Sequence, residues 1–187
     1  MEKSLIFIFT GEGKGKTSAA LGMTLRAVCD GKKVAWVAWY KTSSWGVSEF
    51  NAEKYLPNFQ MHVFGKGFYF EDHSKIKRVK VGAVVDQASA EEHKEAAGLA
   101  LTKVQEILTN QTCDLLVLDE VCQAAAQGLI DKKDLISLLE KRGKVHLILT
   151  GRDCPAEIIG LSDTATEMKK IKHAYDQGIM AVKGLDF

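Results

Sequence analysis

The chain has 187 residues, 46% of them apolar and 26% charged, which is enough to bury one core and predicts a single domain over residues 1–187. With 25 Lys and Arg against 24 Asp and Glu, the net charge of +1 leaves no electrostatic footprint for nucleic acid. The apolar run 5–9 reaches Gly11 and Glu12 too soon for a signal peptide or a membrane span, so a cytoplasmic protein without a membrane partner is expected.

In chain order, residues 5–10 predict a first strand and residues 16–30 a helix stopped by Gly31. A second strand is predicted at 34–40 and a further one at 61–64. Lys75-Ile76-Lys77-Arg78-Val79-Lys80-Val81 fits either an amphipathic strand or a basic surface loop. Helix 88–109, strand 115–119, helix 134–141 (Asp131 near its start, Gly143 at its end) and strand 145–150 follow. Residues 165–172 and 179–182 predict a C-terminal extended pair. Short apolar strands separated by helix-length segments are the pattern of buried parallel strands, hence an α/β fold with a mainly parallel sheet and helices on both faces. Cys29, Cys113, Cys122 and Cys154 lie far apart with no C-x-x-C pair, which argues against a zinc site and a disulfide framework.

The first strand runs into Thr10-Gly11-Glu12-Gly13-Lys14-Gly15-Lys16-Thr17-Ser18 and then into the helix, the context a phosphate-binding loop requires and the mark of a P-loop NTPase-like fold. Glycines let the backbone curl so that N–H groups converge on phosphate oxygens, and the helix start adds its positive dipole end. Lys16 would supply a mobile charge to the polyphosphate and Thr17 a hydroxyl ligand for Mg²⁺. The strict pattern wants glycine where Thr10 stands, which predicts a loop of altered shape. Asp119 and Glu120 end the strand 115–119 at its carboxyl edge. Alone they read equally as a helix start, but beside a phosphate loop a magnesium role is the better reading.

Three segments carry a more specific resemblance: Gly11 to Ala20, Leu149-Thr150-Gly151-Arg152-Asp153-Cys154-Pro155, and Asp163-Thr164-Ala165-Thr166-Glu167-Met168 with Ile171-Lys172-His173. With Lys41, Trp45, Gly65-Lys66-Gly67-Phe68, Gly178-Ile179 and Lys183-Gly184, the ordered set resembles the P-loop type of ATP:cob(I)alamin adenosyltransferase over nearly the whole chain. The resemblance implies a transferase that moves the 5′-deoxyadenosyl group of ATP to the Co(I) of a reduced corrinoid, with triphosphate leaving whole. It implies ATP and corrinoid as substrates, Mg²⁺, a homodimer and a flavoprotein reductant. It assigns ATP binding to Gly11, Glu12, Gly13, Lys14, Gly15, Lys16, Thr17, Ser18, Lys41 and Arg152. It also implicates Phe68 and Phe70 in displacing the corrinoid's lower axial ligand, although aromatics at such positions are as often plain packing residues.

Some residues depart from that pattern. Glu12 places a carboxylate where a neutral residue is usual, so it is expected to turn outward or to meet Lys14 or Mg²⁺. Val121-Cys122 replaces the usual continuation after Glu120, Phe70 stands where a tryptophan is usual, and about a dozen residues around 75–86 look like an insertion that alters the corrinoid entrance or a partner surface. Two rival readings remain open: a P-loop NTPase or kinase, and a non-catalytic corrinoid or nucleotide sensor.

Overall fold

The computed structural model describes residues 3–67, 69 and 88–186. Six strands, β1 (Ile6–Thr10), β2 (Val34–Ala38), β3 (Phe59–Val63), β4 (Leu115–Asp119), β5 (His146–Thr150) and β6 (Thr164–Glu167), form one sheet in the order β3-β2-β4-β5-β1-β6. Every pairing is parallel. Parallel neighbours need crossovers, and the helices α1 (Lys16–Cys29), α2 (Ala52–Tyr55), α3 (Ala90–Asn110), α4 (Val121–Ala126), α5 (Lys132–Glu140) and α6 (Ala156–Ile159) occur within them.

The side-chain alternation of the strands sorts these helices into two layers. Val34, Trp36 and Ala38 of β2, with Leu115, Val117 and Ile148, pack against Ala20 and Val28 of α1. The intervening residues Ala35 and Val37, with Leu116, Leu118, Leu147 and Leu149, meet Ala97, Ala100 and Val104 of α3, Leu135 and Leu139 of α5 and Ile158 of α6. Both faces are therefore covered, which explains why β2 and β4 read as continuous apolar runs, every residue buried.

Local chemistry sets the boundaries. A capping box starts α3: Ser89 Oγ accepts from Glu92 N–H and the Glu92 carboxylate accepts from Ser89 N–H. Asp131 accepts from Lys133 N–H at 2.7 Å, which begins α5 at Lys132 rather than at 134. Strand β2 stops at Ala38 rather than 40 because Tyr40 turns into the left-handed region at φ 61°. Two expectations need correction. Thr164–Glu167 pairs in parallel with the free edge of β1, and residues 179–182 form no strand. The reason is that β1 offered an open ladder to the first extended segment after α6, while Ile179, Met180 and Val182 stay half-exposed without a strand partner.

Among the described residues no helix is long and apolar enough to cross a membrane.

Candidate functional site

All six strands end on one edge, and the candidate residues collect there. Thr10 is the last residue of β1, with its carbonyl accepting from Met168 N–H at 2.8 Å and its Oγ1 from Cys154 N–H at 3.3 Å. The chain turns one residue later, at Gly11, where φ is +97°. That placement explains why a phosphate loop can do without glycine at position 10. The loop then packs against the chain leaving β6: Gly13 N–H donates to the Met168 carbonyl at 2.7 Å, and a Cβ on Gly13 would lie 2.7 Å from the same oxygen.

Helix α1 begins from Gly15 at φ 116°, with no side chain capping it. Its first-turn N–H groups are thus free of the competition a Ser or Asp cap would impose, the arrangement that suits an anion. Lys16 is buried and its Nζ donates to the carbonyls of Gly11 (2.7 Å) and Gly13 (2.9 Å), so the ammonium braces the loop from inside. Burial lowers its pKa, while the carboxylates of Glu120, Glu12 and Asp119 oppose that shift.

One turn of the same helix brings Thr17 to Asp119 at the end of β4. Thr17 Oγ1 donates to Asp119 Oδ1 at 3.1 Å, and Thr150 Oγ1 at the end of the intervening β5 donates to the same oxygen at 2.7 Å. The Thr150 hydroxyl also accepts from Glu120 N–H at 2.9 Å, which fixes the backbone where Glu120 adopts φ 65°. The second Asp119 oxygen receives Lys41 Nζ at 2.6 Å, and Lys41 donates again to Glu49 Oε1 at 2.7 Å. Burial works to lower the Lys41 pKa, yet Asp119 and then Glu49 outweigh it and hold the ammonium above its ordinary value. Burial first, then the charge of Asp119, push the Glu120 carboxyl up to about 7. Its Oε2 is buried with no hydrogen-bond partner among the described residues.

A hydroxyl and two carboxylates, one with an orphaned oxygen, form an all-oxygen donor set of the kind hard divalent cations prefer. Among the described residues no three His, Cys, Asp or Glu side chains cluster as a closed metal cage. The oxygen donors Thr17, Asp119 and Glu120 could hold Mg²⁺ if substrate phosphates and water completed its shell.

Glu12 turns to Arg152, whose Nη1 lies 2.7 Å from Glu12 Oε2, and Lys14 pairs instead with Asp186. Ser18 lies in the first turn of α1 and faces a cleft of about 780 Å³. Thr17, Ser18 and Leu21 line one side, Lys41, Trp45, Val47 and Glu49 another, and Gly184, Leu185 and Asp186 a third. Phe68, Phe70 and the segment 75–86 lie outside the described residues. Sequence reasoning missed three contributors. Glu49 sits in a loop with no periodicity to mark it, the Met168 carbonyl is backbone, and Thr150 carried only the Leu-Thr-Gly-Arg string as a signal.

A parallel sheet with a glycine-rich loop running into an uncapped helix, and an acidic strand end two strands away, defines a P-loop α/β nucleotide-binding protein. Comparison with known proteins then identifies the family. Residues 2–187 match the family model described as ATP:corrinoid adenosyltransferase BtuR/CobO/CobP, and the chain belongs to that family. It is 34% identical over 189 residues to Corrinoid adenosyltransferase CobA of Salmonella typhimurium, covering 100% of this chain and 87% of that protein. It is 32% identical over 188 residues to Corrinoid adenosyltransferase of Escherichia coli K12, with the same 100% and 87% coverage. The Pseudomonas aeruginosa Corrinoid adenosyltransferase is 30% identical over 187 residues, covering 100% of this chain and 85% of its own length.

Proposed function

We propose that this chain, working as a single domain over residues 1–187, transfers the 5′-deoxyadenosyl group of ATP to the Co(I) of a reduced corrinoid, giving the adenosylated corrinoid and triphosphate. The observation that carries the reading is the junction of the braced phosphate loop with Thr17, Asp119 and Glu120 at one edge of the sheet, in a chain that matches the family throughout. The Co(I) electron pair forms the bond to the ribose 5′-carbon. The C5′–O bond breaks with its pair left on the triphosphate, and no phosphoanhydride bond opens.

The protein therefore has no nucleophile or general base to provide, and its work is positioning and charge stabilisation. The loop N–H groups and the first turn of α1 receive the triphosphate. Lys16, already inside the loop, exchanges the carbonyls of Gly11 and Gly13 for phosphate oxygens as negative charge grows on the leaving group. Thr17, with Asp119 behind it and Glu120 beside it, would hold Mg²⁺, which supplies further charge neutralisation on the triphosphate. Arg152, once released from Glu12, adds a second cation at the loop's mouth.

Phe68 and Phe70 are assigned to the corrinoid's lower face. We place the enzyme in the cytoplasm as a homodimer. The exposed apolar residues Ile171, Tyr175, Ile179 and Met180 support a self-association surface, and sedimentation at a monomer mass would rule it out. A flavoprotein is the proposed source of electrons for cobalt. Failure of a reduced flavoprotein to support turnover with cob(II)alamin would remove that partner.

Anaerobic incubation with Mg-ATP and chemically reduced cob(I)alamin tests the main reading. Adenosylcobalamin with stoichiometric triphosphate supports it. Orthophosphate released without corrinoid would instead mark an NTPase, and binding of ATP without either product would mark a sensor.

A further inference from the structure

The wall of the cleft formed by residues 43–49 is poorly provided with regular structure. It consists of a 3₁₀ turn at Ser43–Trp45, Gly46 at φ 59°, and a second 3₁₀ turn at Ser48–Asn51. Among the described residues its backbone hydrogen bonds include two local ones, Trp45 N–H to the Thr42 carbonyl at 3.0 Å and Phe50 N–H to that of Val47 at 3.2 Å. Short 3₁₀ pieces of this kind open easily unless something outside the segment holds them. Glu49 does so. Its side chain, only 9% exposed, reaches back eight residues to Lys41 Nζ, and the same ammonium lies 2.6 Å from Asp119.

Asp119 in turn receives Thr17 and Thr150, so one unbroken series of contacts runs from the wall to the helix that carries the phosphate loop. A buried ammonium shared by two carboxylates is held at hydrogen-bonding distance by both, and each carboxylate is fixed in place by the same cation, so the three groups form one rigid link. We infer that Glu49 is a positioning residue: through Lys41 it fastens the cleft wall of residues 43–49 to the Thr17–Asp119 pair. The wall and the phosphate end of the cleft then hold one spacing, and a substrate lying between Trp45 and Thr17 meets both at a fixed distance. The inference rests on the adenosyl-transfer reading for its consequence in turnover, but the fastening itself does not.

Three tryptophans make the fastening observable without substrate. Trp36 and Trp39 are 0% and 2% exposed, whereas Trp45 is partly exposed on the wall, so acrylamide reaches Trp45 preferentially. Glu49→Gln keeps the side-chain volume and removes the charge. Its Stern–Volmer constant is expected to rise about twofold over wild type as the wall opens. Its kcat for adenosyl transfer is expected to fall about tenfold, with the KM for ATP changed less than about threefold, because the phosphate loop itself is untouched. In a Lys41→Met background, Glu49→Gln is expected to lower kcat no further, since Glu49 acts through Lys41. Glu49→Asp, one methylene shorter and gentler on folding, is expected to show the same two changes in smaller degree.

Quenching identical to wild type in Glu49→Gln and Glu49→Asp overturns the inference, as does raised quenching with unchanged kcat. Additive effects of Lys41→Met and Glu49→Gln overturn it too, because Glu49 would then touch substrate itself. A wild-type protein that forms no adenosylated corrinoid sinks the functional reading, while the quenching comparison still decides the fastening.

Discussion

Arg152 reaches across the phosphate loop to Glu12, placing a guanidinium nitrogen 2.7 Å from the carboxylate of a loop that binds polyanions. Both side chains are half or more exposed, at 50% and 66%, so the pair is screened and yields readily. ATP must nevertheless compete with Glu12 for Arg152 and approach a like charge while doing so. Glu12→Asn removes both obstacles. It is expected to lower the KM for ATP about three- to tenfold with little change in kcat, and the advantage should shrink in high salt. Steady-state kinetics at two ionic strengths check it; an unchanged or higher KM would show that Glu12 assists binding.

Lys16 is both brace and charge. Lys16→Ala is expected to lower kcat/KM by about 10²–10³-fold, since a preorganised cation at a developing negative charge contributes on that scale. Because Nζ also ties the carbonyls of Gly11 and Gly13, the variant's KM for ATP should rise as well. Loss of less than about tenfold in kcat/KM would assign leaving-group stabilisation to other groups.

Gly13 has no space for a side chain, whereas Gly22 in the middle of α1 meets nothing within 4 Å of a built Cβ. Gly13→Ala is expected to destabilise the fold by about 1–3 kcal/mol, through the clash with the Met168 carbonyl and loss of the bond that joins them. Gly22→Ala should stabilise by about 0.5–1 kcal/mol through helix propensity. Urea titrations of the two variants beside wild type measure both signs, and a neutral Gly13→Ala would mean that the loop and residue 168 move apart without cost.

The thiols differ by burial. Cys29 is exposed, while Cys113 and Cys122 are buried, and burial pushes the Cys113 thiol up to about 11. A folded pKa above the ordinary 9.0 means that the native state keeps its proton longer than the unfolded chain, so stability falls as pH rises from about 9 toward 11. Cys113→Ala should flatten that slope in denaturation curves at pH 8 and 10. At pH 8 a thiol reagent is expected to label Cys29 promptly and Cys113 and Cys122 only on unfolding; prompt loss of labelling in Cys29→Ser assigns the fast phase.

The sequence made the sheet's main strands legible because each is an apolar run bounded by polar turns, and burial on both faces erased the ambiguity of alternation. The loop and Asp119 were legible because spacing and strand context carry their chemistry. The partner of β6 was not, since each residue of Thr164–Glu167 is exposed and its apolar content points nowhere; only the open edge of β1 decides its place. The family resemblance assigns Lys41 to ATP binding, but its pairing with Asp119 and Glu49 depends on the left-handed turn at Tyr40, which no residue preference announces. Glu49 was invisible for the same reason, because its partner Lys41 is aimed by the turn at Tyr40, nine residues upstream.

The two hydrogen bonds between residue 168 and the phosphate loop carry a consequence for biosynthesis. The backbone rail that shapes the loop is made about 150 residues after the loop itself, roughly ten or more seconds later at ordinary elongation rates. A nascent chain shorter than that holds every glycine of the motif and still lacks the scaffold for the nucleotide. ATP can therefore act as a folding ligand only for chains translated past Met168, adding its binding energy to finished molecules and withholding it from truncated ones.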